Sequence, residues 1–193
     1  MQWPRRNALK TLWFATKVMQ VPLLCFAGLS VVRLTTWPAE AMTDAELGPW
    51  LTSTTRLDVL SHGPDPSIPH RFVRVRGTDV AGYLVPEYAT HGFVSNGQEV
   101  LVIPIASGGS MGVNSALIFT TYSGRRRFVG YIPGPQGHLS ISITEGLIET
   151  SSPIYLEGDA NCCPSRNRVA TFRLTGIRLT KVSENVTAAV RHK

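Results

Sequence analysis

The sequence predicts a mainly β protein, an antiparallel meander or sandwich with little helix, preceded by an N-terminal hydrophobic signal or anchor helix. Three observations carry this. Short apolar/polar alternations are bounded by turn pairs at Ser123-Gly124, Glu145-Gly146 and Thr175-Gly176, the pattern of half-buried antiparallel strands and their hairpins. Val100-Leu101-Val102-Ile103 is a continuous apolar run rich in β-branched residues, suited to a strand covered on both faces. Beyond residue 41, no stretch keeps apolar residues at helical spacing for three turns.

The leading segment comes first in chain order. Arg5, Arg6, Lys10 and Lys17 precede an apolar run over residues 18–32, and Ala39-Glu40-Ala41 offers a cleavage site before Met42, the layout of a secretory signal. The run contains Gln20 and Pro22 and is shorter than the ~20 residues that span a bilayer. Residues 1–41 are therefore read as a signal peptide, with an uncleaved membrane anchor as the second reading, and the membrane is met only through this segment. Leu24 precedes Cys25 where a lipidated signal would carry a small residue, so lipidation is not expected. Of the 19 basic residues five lie before Met42, as does one of the 13 acids, leaving 14 against 12, or +2 of the formal +6. Such a balance gives no reason to expect nucleic acid as a partner.

Residues 42–70 read as a linker with a short turn or helix. Thr43-Asp44-Ala45-Glu46 has capping-box spacing, but Gly48-Pro49 follows and limits any helix to a turn or two. Residues 61–70 are Pro-rich and aperiodic. The β-rich domain spans 71–182. Pro104 pushes the end of the strand at 100–103 towards an edge or a bulge. Residues 116–122 and 128–132 flank Ser123-Gly124 and Arg125-Arg126-Arg127 as a hairpin. Leu139, Ile141 and Ile143 alternate with Ser140, Ser142 and Thr144 before a second hairpin at Glu145-Gly146, and Ala170, Phe172 and Leu174 share one face ahead of a third. From Ser183 the pattern fades, so 183–193 read as a flexible tail.

The run Asp159-Ala160-Asn161-Cys162-Cys163-Pro164-Ser165 carries the strongest local signal. Neighbouring Cα atoms lie about 3.8 Å apart, short of the usual disulfide span, so a Cys162–Cys163 bond demands a distorted turn. A structural vicinal disulfide or a buried thiol pair is the leading reading. Thiol-redox chemistry and soft-metal binding are rivals, although no histidine stands near the pair to complete a zinc set. Asp159 and Asn161 suit Asx-type turns and Pro164 fixes φ after the pair.

The order of these features resembles exported bacterial domains related to the LppP/LprE-type lipoproteins. The resemblance covers residues 79–182: a strand into Gly108-Gly109-Ser110, then Leu117-Ile118-Phe119, Phe128-Val129-Gly130-Tyr131, the hairpin around Glu145-Gly146, and Cys162-Cys163-Pro164-Ser165 before the last hairpin. It implies a cell-envelope location and an accessory role, with no catalytic activity established for the family. Relatives often carry an acidic, calcium-suited loop before the strand matching Val100; residues 92–98 here have no carboxylate. No metal is carried over and no cofactor is expected.

Gly108-Gly109-Ser110-Met111-Gly112 fits the G-x-S-x-G nucleophile elbow, with Ser110 as nucleophile, but the elbow needs a following helix and residues 113–122 read as a strand. His62, His70, His91 and His138 form no paired motif. The sequence reading is thus an exported cell-envelope or secreted accessory domain that binds an envelope protein or a glycan without catalysis. The alternatives are a serine hydrolase using Ser110 and a thiol-redox or soft-metal protein using Cys162 and Cys163.

Overall fold

Two antiparallel sheets and one short helix make up the computed structural model, which describes residues 42–108, 112–134, 138–160 and 163–189, all within the unit Thr36–Lys193. Residues 1–41, and with them the expected signal or anchor, lie outside the described residues, as do Ser110, Asn161 and Cys162.

The first sheet contains β1 (Leu57–Leu60), β2 (Phe72–Val75), β3 (Ala81–Leu84), β4 (Thr90–Phe93), β5 (Glu99–Ala106), β6 (Val113–Tyr122) and β7 (Arg125–Pro133). Its order is β1-β2-β3-β5-β6-β7, with β4 also paired to β5. The second sheet contains β8 (Ser140–Thr144), β9 (Leu147–Ile154), β10 (Arg166–Thr175) and β11 (Arg178–Ala188), in the order β11-β10-β9-β8. The domain is therefore mainly β and antiparallel, as the alternation predicts.

Strand parity sorts β5 and β6 into two cores. Leu101, Ile103 and Ile105 with Leu117 and Phe119 face one way, where they meet Leu47, Trp50 and Leu51 of α1 (Asp44–Leu51) and Leu57, Val73 and Val75. Val100, Val102, Ala116 and Ile118 face the second sheet, where Ile148 and Leu174 complete the layer between the sheets. A run such as 100–103 is apolar at every position because both of its faces are covered.

The helix opens on the Thr43/Glu46 capping box and, at eight residues, is about two turns long, as expected; Pro49 is its sixth residue and forgoes the bond an N–H there would make to the Ala45 carbonyl. Two boundaries differ from the sequence reading. With Leu47, Trp50, Leu51 and Leu57 buried, residues 42–60 belong to the domain, and the irregular connection shrinks to residues 61–71. The expected tail is also corrected. β11 pairs with β10 as far as Ala188↔Arg166, so Ser183 lies within a strand.

Pro104 sits inside β5, an interior strand and not an edge, one residue before the register shift between Ile105 and Ala106, so of the two expected contexts the bulge is the one observed nearby. The Pro104 carbonyl accepts from Val85 N at 3.0 Å, and that side of the strand falls between β3, which ends at Leu84, and β4, which begins at Thr90. The missing N–H thus points where no ladder needs it. The hairpin turns at Ser123-Gly124 (φ 50° and 71°) and Glu145-Gly146 (φ 51° and 75°) have the paired positive φ of type I′ connections. Arg125, Arg126 and Arg127 begin β7 and do not form the turn itself.

Candidate functional site

The handover from β3 to β4 opens a well-formed pocket among the described residues. Between these strands a 3₁₀ turn, Pro86–Tyr88, lifts the chain off β5 and leaves Pro104 without a strand partner on that side, two residues before Ala106, which pairs with Tyr83 of β3. On the far side Val113, Leu139 and Ile141 form an apolar wall, and Glu87, Thr90, His138 and Ser140 supply polar groups; the pocket holds about 580 Å³. Tyr88, 66% exposed, stands at its rim. A concave, mostly apolar space of this size with a few polar groups is the usual form of a binding site.

His138 and Gly112 fix one corner. His138 has φ +41° and Gly112 φ +64°, a region that glycine enters without strain and histidine seldom occupies. A Cβ on Gly112 would lie 2.9 Å from His138 Nδ1, so the imidazole packs directly on this glycine backbone. Gly112 is the last glycine of the G-x-S-x-G run, two residues after Ser110. Residue spacing gave no sign of this pairing, because residues 112 and 138 are brought together only by the sheets.

Other candidates occupy separate places. His91 Nε2 lies 2.8 Å from Glu99 Oε1, while Thr121 Oγ1 donates to the other carboxylate oxygen. The Thr121 hydrogen bond, then those of His91 and the charges of His91 and Arg126, hold the Glu99 carboxyl below its usual range against the opposing effect of burial. Arg126 stacks over Trp50 at 5.0 Å, so this group ties α1 to the rims of β4, β5 and β6. His70 Nε2 lies 3.8 Å from Glu87 Oε1, with both side chains well exposed. His62 is exposed. No group of three His, Cys, Asp or Glu residues that could hold a metal ion occurs among the described residues.

Asp159 organises the connection from β9 to β10. Its carboxylate accepts from Leu156 N at 2.7 Å and Ser165 N at 2.9 Å, and from the Ser165 hydroxyl. Asp159 N in turn donates to Leu156 O and Cys163 N to Ala160 O. One carboxylate thus closes the loop on both sides, which is how short acidic side chains stabilise irregular backbone. Cys163 is exposed and Pro164 is half-buried; the bonding of Cys162 falls outside the described residues. No family model, curated protein or solved structure matches the chain at a significant level.

Proposed function

We propose that this chain is an exported cell-envelope or secreted accessory domain that binds a partner protein without catalysis, through the pocket between Pro86–Tyr88 and β8. The observation that carries the reading is the pocket itself: an apolar floor at Pro104 and Ala106, rimmed by a largely exposed Tyr88. An exposed aromatic beside an apolar recess suits the capture of an apolar side chain from a partner. The basic start, the apolar run at 18–32 and Ala39-Glu40-Ala41 support export, as does the resemblance to the exported lipoprotein-related domains.

Crosslinking in an envelope extract tests the site. Tyr88→Ser and Ala106→Trp, which strips the rim and fills the floor, should both lose the same captured band. An unchanged set of partners in both variants refutes the assignment, and capture of a glycan in place of a protein redirects it. Mass spectrometry of the exported protein should find Met42 at its N-terminus; an intact N-terminus on membrane-bound protein favours the anchor. In the same compartment Cys162 and Cys163 are proposed to be joined, and alkylation of both under denaturing, non-reducing conditions would refute that.

A second reading keeps one structural support. His138 packs on Gly112, which follows Ser110 by two residues in the sequence. Labelling by a fluorophosphonate probe that disappears in both Ser110→Ala and His138→Ala would establish a serine hydrolase in place of the binding domain.

A further inference from the structure

The inner face of the second sheet changes character along its strands. Ile148, Phe172, Leu174 and Leu179 pack into the layer between the sheets. Further along the same face come Thr150 and Ser152, 5% and 4% exposed, and then Arg168, Lys181 and Glu184. These residues, with Ile132, Pro133 and Leu139 opposite, enclose about 540 Å³ of open space. A sandwich normally fills such inward positions with interdigitating apolar side chains. Here the positions are polar and the space is left open.

A backbone irregularity builds this arrangement. Phe172 pairs with Lys181 but Thr171 pairs with Ser183, so Val182 is an extra residue in β11. On a regular strand, residues three apart point to opposite faces. The bulge at Val182 turns both Lys181 and Glu184 inward, and bulges recur where a strand re-aims a side chain.

The charges do not balance. Lys181 Nζ lies 2.6 Å from Glu184 Oε2, and Arg168 Nε lies 3.5 Å from Glu184 Oε1. Two cations therefore share one carboxylate at the mouth of the cleft.

We propose that this open end of the sandwich binds a small organic anion, its carboxylate or phosphate held by Arg168 and Lys181 and its apolar body lying against Phe172, Leu139 and Ile132. Glu184 acts as the internal competitor that occupies both cations when the ligand is absent. Thr150 and Ser152 line the cleft as hydroxyl partners for a polar substituent. The space matches the size of ordinary small-molecule sites, and Arg offers the forked donor geometry that carboxylate and phosphate accept.

Titration calorimetry of the full-length chain with hexanoate, acetate and inorganic phosphate tests this. Hexanoate should bind about tenfold or more tightly than acetate, because its added methylenes leave water. Arg168→Gln and Lys181→Gln should each weaken hexanoate by about tenfold, the ordinary loss of one charged hydrogen bond. Glu184→Gln should tighten it, a gain that misfolding cannot produce. Arg125→Gln/Arg127→Gln, at the start of β7, should leave it unchanged. Equal binding of hexanoate and acetate, or weakening by the β7 variant equal to that of Arg168→Gln, would overturn the proposal. So would binding to phosphatidylglycerol vesicles that depends on Arg168 and Lys181 without binding of any soluble anion, since that would place these charges at a membrane surface.

Discussion

Replacing Gly112 by alanine tests the corner of the pocket directly, because a second glycine provides an internal control. Gly112 and Gly124 have similar φ angles, +64° and +71°. A Cβ on Gly124 would meet nothing within 4 Å, whereas one on Gly112 would lie 2.9 Å from His138 Nδ1. Alanine in this left-handed region costs about 1–2 kcal/mol, offset by a few tenths to about 1 kcal/mol because the unfolded chain also loses freedom. Gly124→Ala should therefore destabilise by about 1 kcal/mol. Gly112→Ala must in addition push the imidazole off its rotamer, a further 0.5–1.5 kcal/mol or so. Urea unfolding followed by tryptophan fluorescence reads both variants. With a slope of about 2 kcal/mol per molar, the midpoint should fall by roughly 0.5 M for Gly124→Ala and roughly 1 M for Gly112→Ala. In a His138→Ala background the excess should vanish, since the obstructing ring is gone. Equal shifts for the two glycines, or an excess that survives removal of His138, would refute the packing of His138 on Gly112.

Two further predictions concern the junctions that hold the sheets. Ionised Glu99 is favoured in the folded chain, led by the Thr121 hydrogen bond, so its contribution is present above the ordinary carboxylate range and lost as pH falls through its lowered folded value. Thermal unfolding between about pH 6 and pH 3 should show an acid-side loss in the parent that is smaller in Glu99→Gln; identical profiles would discount this group. Gln98 Nε2 donates to Thr120 Oγ1 at 2.7 Å and to Gly176 O at 2.6 Å, joining the first sheet to the β10–β11 turn. Gln98→Ala should cost about 2 kcal/mol and speed amide exchange at residues 176–178; a cost without faster exchange there would place the loss elsewhere.

Parity made much of the fold legible. Leu139, Ile141 and Ile143, and again Ala170, Phe172 and Leu174, share faces in the sequence, and both sets line the inner side of the second sheet. The start of β11 is legible as the second arm of the last hairpin, but its continuation from Ser183 escaped for a physical reason: the inward residues include Lys181 and Glu184, and the extra Val182 interrupts the two-residue period, so neither composition nor alternation marks a strand there. α1 was legible as a short capped helix but not as part of the core, and β1 escaped altogether, because both are short and each adds only a few side chains to the core. β2 and β3 are four residues each, too brief for alternation to stand out. The pocket carried no sequence signal, since its floor is exposed by a gap between β3 and β4 and its wall comes from residues 138–141. Only Gly112 was singled out by a motif, and there for a serine two residues away.

The bulge at Val182 bears on a hazard as well as on a site. β11 is an edge strand of eleven residues, and an edge with unpaired backbone groups is a template for pairing with another chain. A bulge spoils that template, as does a lysine placed beside it. Deleting Val182 leaves the partners of its neighbours unchanged, with Lys181 opposite Phe172, Ser183 opposite Thr171 and Glu184 opposite Ala170. The ladder should then become regular with Lys181 and Glu184 still inward, so the fold and the charged cleft should persist while the edge straightens. Sedimentation of the variant should show larger species at concentrations where the parent does not. Unchanged sedimentation would remove the protective role of the bulge, and loss of the fold would show that Val182 is needed for the hairpin itself.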